Sequence, residues 1–169
     1  MQMAKHIGSH HHNQRPRIWL LVLCIGATLC IGFAGGIATM SNIYGWYENL
    51  QKPSFNPPNY IFGPVWTVLY ILMGISFYMI LQSQKSKGRN FAIGIFAIQL
   101  FLNFWWSYLF FSFHWLGASF IEILILWICV LLMIISFYRL NKTASLIQLP
   151  YLLWISFASV LNGTIWMIN

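Results

Sequence analysis

Apolar residues along the 169-residue chain gather into five stretches of about 20 residues, divided by three short polar connections and one long proline-rich one. The stretches run from Ile18 to Met40, Ile61 to Leu81, Phe91 to Ser112, Leu116 to Tyr138 and Ile147 to Ile168. Wound as helices rising about 1.5 Å per residue, each would be about 30–35 Å long, enough to cross a bilayer with modest tilt. The pattern predicts an all-α membrane protein, a single five-helix transmembrane bundle over residues 18–169 with no separate soluble domain.

The connections differ in kind. Residues 41–60 are long, aromatic and rich in proline, 82–90 short and basic, 113–115 a tight turn, and 140–146 short and polar. Five spans put the termini on opposite sides. Lys5, Arg15, Arg17, Lys85, Lys87, Arg89, Arg139 and Lys142 then share one side, and Lys52 is alone on the other. That segregation predicts a cytoplasmic amino terminus and an outside carboxyl terminus, because basic residues in short loops stay in the cytoplasm. A bacterial cell membrane is the expected location.

Composition removes the alternatives. With 7% charged and 59% hydrophobic residues, the chain cannot coat a soluble globule and is too apolar for disorder. The net charge of +7 does not make a nucleic-acid binder, since its bases lie between apolar spans rather than on one patch. Cys24, Cys30 and Cys129 lie inside spans without ligand spacing, so they read as buried hydrophobes, and no metal site is expected. The polar residues 1–17, with His10, His11 and His12, read as a disordered tail or cloning remnant rather than a secretory signal.

Two segments carry candidate chemistry. Gly32 and Gly36 have the Gly-x-x-x-Gly spacing that lets helix backbones approach in lipid, which reads as packing. Residues 41–60 form a connection long enough to need a functional reason. Pro53, Pro57 and Pro58 stiffen it by fixing φ and removing donors. Trp46, Tyr47 and Phe55 suit either an interfacial aromatic belt or the roof of a pocket.

The run WYENLQKPSFNPP from Trp46, followed by VWTVLYILMG from Val65, resembles the translocator protein/tryptophan-rich sensory protein (TspO/MBR) family, as do QLFLNFWWSYLFF and LPYLLWISFASVLN further on. The similarity covers about residues 44–169. It implies a five-helix membrane protein, commonly a homodimer, binding porphyrins and, in some members, sterols and synthetic ligands. Two departures stand out. Phe55 occupies the place of a family tryptophan, keeping a stacking face without the indole donor. The sterol pattern after Leu161-Asn162 is also missing, so cholesterol is not expected as a partner.

Helical depth tests whether such a pocket is physically reasonable. Trp66 and Glu122 fall in the outer half of their spans, Asn103 near mid-membrane, and Trp106 about one turn further out on the same side. Trp154, Ala158 and Asn162 repeat every four residues as one rising stripe. These groups would converge beneath the proline-rich connection. Each also has a plainer reading: the amides as glue between helices, the indoles as packing, and Glu122 as a solvated acid near the span end. The ligand that the resemblance implies is protoporphyrin IX or haem, with no cofactor required and Lys52 as the nearby cation for its acid groups. Light-dependent porphyrin degradation, which the resemblance also implies, with Trp66 and Trp154 as catalytic candidates, is one alternative. A non-catalytic dimeric scaffold or transport partner, with Ala92, Gly94 and Ala97 as a helix seam, is another.

Overall fold

The computed structural model describes residues 17–169, so the tail expectation for residues 1–16 and its histidines lies outside the described residues. Long helices are α1 (Ile18–Asn42), α3 (Asn59–Gln82), α4 (Lys87–Ser107), α5 (Leu116–Tyr138) and α7 (Leu149–Ile168). Two short ones, α2 (Trp46–Asn49) and α6 (Lys142–Leu146), sit in connections. Among the described residues, five helical segments are long and apolar enough to cross a membrane, and no strand occurs. The chain is an integral membrane protein by these dimensions.

Polar signals set where the helices begin and end, and they move several boundaries outward from the apolar stretches. Ser86 caps α4, its hydroxyl accepting from the Arg89 amide at 3.1 Å, so this helix starts before Phe91. Arg89 in turn donates to the Ile80 and Leu81 carbonyls at 3.3 and 2.9 Å and closes the end of α3. Asn141 caps α6 through the Ala144 amide. The fifth span is therefore entered through a separate helical turn before α7. At the other end of the bundle α4 runs into a π-helical turn, Tyr108–Ser112. The chain then reverses at His114, a non-glycine residue held at φ 59°.

Helix α1 packs on α3 and α4, α5 packs on α4 and α7, and α6 bridges α5 and α3. The backbones of α1 and α3 approach closely. A Cβ on Gly74 would stand 2.6 Å from the Ile25 Cα, so only glycine fits there. The expected Gly32–Gly36 packing pair divides instead. Gly32 accommodates the Tyr70 ring, whereas a Cβ on Gly36 would meet nothing within 4 Å. The small residues of α4 divide too: Ala92 is in the core, and Gly94 and Ala97 face outward. Most of the core fills the half of the bundle nearer the basic connections, around Met73, Ile80, Val130, Met133 and Phe137. The other half holds a cavity.

Candidate functional site

The cavity has a volume of about 650 Å³ and lies between α1, α3, α4 and α7, under the connection that carries α2. That is within the roughly 300–1,000 Å³ of small-molecule sites. Aromatic rings dominate its walls. Trp66 and Tyr70 come from α3, Trp106 from α4, Phe110 and Phe111 from the π turn, and Trp154 from α7. The wider π turn brings Phe110 and Phe111 to the same side as Trp106, whose ring stacks on Phe110 with centroids 5.3 Å apart. Trp154 is packed edge to face against Phe62 at 6.1 Å.

A polar chain ties the floor together across three helices. The Tyr70 hydroxyl donates to Asn103 Oδ1, Asn103 Nδ2 donates to the Tyr151 hydroxyl at 3.0 Å, and Tyr151 donates to Gln99 Oε1 at 3.0 Å. All four residues are buried. The Asn103 side chain is thus engaged on both its oxygen and its nitrogen, and it links α3, α4 and α7 at the cavity floor. Asn162 Nδ2 reaches the Ser119 hydroxyl at 3.3 Å, and its Oδ1 has no partner among the described residues.

The connection 43–58 is folded down as a roof. Tyr47 is buried against Phe110 and Phe111, its ring centroid 6.0 and 5.6 Å from theirs. Its hydroxyl donates to Asn56 Oδ1 at 2.7 Å, and burial pushes the pKa of that hydroxyl up to about 12. Trp46 stacks on His114 at 4.0 Å. Lys52 donates to the carbonyls of Tyr47, Glu48 and Leu50 at 2.8, 2.8 and 3.0 Å, closing the end of α2. All three of its ammonium donors are engaged, so Lys52 is a clasp of the roof and not a free cation for a ligand's acid groups. The Asn169 side chain clamps Gln51 from α7 by accepting from its amide at 2.9 Å and donating to its carbonyl at 3.0 Å.

Of the residues singled out in the sequence, Tyr47, Trp66, Asn103, Trp106, Trp154, Ala158 and Asn162 line this one cavity. Trp46, Pro53, Pro57 and Pro58 do not; they belong to the roof rather than to the cavity wall. Glu122 stands apart. Helix α5 packs behind α4 and α7, and among the described residues it contributes no lining side chain. The Glu122 carboxyl is buried there with neither oxygen hydrogen-bonded among the described residues. Its depth along the span was legible, but the direction in which it points was not. Lining residues that the sequence reasoning did not assign to the site include Gly36, Phe62, Gly63 and Leu161. Tyr70, four residues after Trp66 and hence on its face, had a usable signal.

Together these features define a class: an integral membrane protein of five long helices with an aromatic-walled cavity of about 650 Å³ beneath a pinned roof. Residues 24–167 match the model of the TspO/MBR family. The chain is 44% identical to tryptophan-rich protein TspO of Chlorobaculum tepidum, over 90% of this chain and 98% of that protein. It is 34% identical to the translocator protein of Bos taurus (82% and 83% covered) and 32% identical to the tryptophan-rich sensory protein of Cereibacter sphaeroides (69% and 72%). The protein belongs to the TspO/MBR family.

Proposed function

We propose that the chain binds a porphyrin, protoporphyrin IX or haem, in the cavity under the 43–58 roof. The observation that carries this reading is the wall itself: Trp66, Trp106, Trp154 and Tyr70 surround about 650 Å³ of largely apolar space. A tetrapyrrole is a flat apolar disc, and indole and phenol faces stack on such discs. The segregated basic residues favour a roof that faces outside, with the amino terminus in the cytoplasm of a bacterial cell. The ligand's acid groups would then lie toward the roof end, near the Tyr44 and Tyr60 hydroxyls and Asn59, which line that end of the cavity.

Titration of the purified protein with protoporphyrin IX is the test. Tryptophan emission is expected to be quenched saturably, with a smaller amplitude in Trp66→Phe and Trp154→Phe. Unquenched emission at micromolar pigment overturns the reading. The placement of two oxidisable indoles on the wall also favours a second reading, light-dependent loss of bound porphyrin. Illuminated turnover that is unchanged in both variants excludes Trp66 and Trp154 from it.

A further inference from the structure

The cavity is closed at its end and open at its side. Over the end, Tyr47 packs against Phe110 and Phe111, Trp46 lies on His114, and the Asn169 clamp holds Gln51. The side is different. Phe33, Met40 and Tyr44 from α1 and its end, and Tyr60, Gly63 and Thr67 from α3, line the cavity and are all exposed, Phe33, Met40, Tyr44 and Tyr60 by 70–75% of their surface, more than a closed wall would leave open. The lining residues of α4 and α7 are buried or half-buried. We infer that ligand reaches this cavity sideways, from the hydrocarbon of the bilayer, through a cleft between α1 and α3.

The cleft is a V whose geometry follows from a few residues. At its apex the Thr28 hydroxyl donates to the Tyr70 carbonyl at 2.8 Å, the Tyr70 ring fills the space beside Gly32, and Gly74 touches the Ile25 backbone. Toward the roof the arms part. Gly36 and Gly63 lie one on each arm, both line the cavity, and a Cβ on either would meet nothing within 4 Å. From Tyr70 up to Tyr60 the open flank is about 15 Å tall by helical rise. Phe33 and Met40 make its α1 edge apolar, while the Tyr44 and Tyr60 hydroxyls stand at the roof end, where interfacial tyrosines belong. The slot therefore suits a flat amphiphile that slides in with its apolar body in the hydrocarbon and its polar edge at headgroup level. Glycine at 36 and 63 keeps the slot wide. The passage of porphyrin rests on the proposed function, whereas the cleft itself does not.

Two measurements separate the claims. In vesicles of phosphatidylcholine with brominated acyl chains, the emission that disappears on Trp66→Phe is expected to be quenched relative to ordinary phosphatidylcholine. Trp66 is half-buried and lines the cavity, so a quench that passes through the cleft is expected to shrink in Gly36→Leu and Gly63→Leu. Equal emission in the two lipids overturns the inference without any pigment being present. In stopped-flow mixing with protoporphyrin IX, Gly36→Leu and Gly63→Leu are expected to slow association at least about tenfold, roughly 1.4 kcal/mol of added barrier. Dissociation is expected to slow alongside. A roof lock, Gln51→Cys with Asn169→Cys after alanine replacement of Cys24, Cys30 and Cys129, is expected to leave the rates unchanged on oxidation. Slowing by the lock with no effect of the glycine variants reverses the conclusion. Acyl-chain quenching without protoporphyrin binding leaves the cleft standing and removes the pigment as its cargo.

Discussion

Replacing Gly74 by alanine adds one methyl group at a close backbone contact between α1 and α3, and its cost can be worked from the backbone. The new Cβ would lie 2.6 Å from Ile25 Cα, 2.9 Å from Ile25 N and 3.0 Å from the Cys24 carbonyl oxygen. Comfortable carbon contacts need about 3.5–4.0 Å, so the helices must part by roughly 1 Å. All three neighbours are backbone atoms, which no rotamer change can move aside. Overpacking of this kind costs about 1–3 kcal/mol. The separation also stretches the Thr28–Tyr70 hydrogen bond, an interhelical contact of roughly 0.6–2 kcal/mol. Against this, alanine gains up to about 1 kcal/mol of helix propensity. The net loss is about 1–3 kcal/mol, or roughly 2–12 °C in Tm at about 2–4 °C per kcal/mol for a chain of this size. Gly36→Ala is the matched control: its Cβ meets nothing within 4 Å, so Tm should hold or rise slightly. Thermal unfolding of both variants in one detergent, followed by circular dichroism, checks the pair. A Gly74→Ala protein as stable as the parent, or a Gly36→Ala protein that falls equally far, refutes the reasoning.

Other consequences are open to equally direct measurement. Tyr151→Phe leaves the Asn103 amide nitrogen and the Gln99 carbonyl oxygen without their shared partner, and Tm in detergent should fall by about 2–8 °C. The roof should respond to alkali, because burial raises the Tyr47 hydroxyl from its ordinary value near 10 to about 12. A group whose folded pKa is raised contributes its full stability below the unfolded value, so the contribution of Tyr47 is complete below about pH 10 and lost as pH rises toward 12. Trp46 emission should report the release between those limits, and a Tyr47→Phe protein should show no such transition. Lys52→Met frees three carbonyls at the end of α2 and should raise proteolytic cleavage within residues 43–58. Its protoporphyrin affinity should stay within about threefold of the parent's, since the ammonium is engaged with the backbone; a loss of about tenfold, some 1.4 kcal/mol, would make Lys52 a ligand contact after all.

Much of the site was legible because polar and indole groups are conspicuous in an apolar span. Trp154, Ala158 and Asn162 share a stripe by their four-residue spacing, and all three meet the cavity. Asn103 and Trp106 do the same from α4. Glu122 shows where that reasoning stops. Its depth follows from counting residues, but its direction depends on the rotation of α5, which is apolar on nearly every side. Lys52 is a second case: its charge was visible, and the three carbonyls that hold it were not.

The amino-acid sequence alone determined the number of spans, the family motifs and the segregation of basic residues, because each is a local property summed along the chain with the bilayer as solvent. Tertiary structure decided which face of each helix looks inward, which glycine touches a neighbour and which borders empty space. Lipid and protein interior are similarly apolar, so hydrophobicity cannot tell one face from the other. Gly36 and Gly74 are the same residue type in similar helices, and only the path of the opposing backbone makes one an opening and the other a contact.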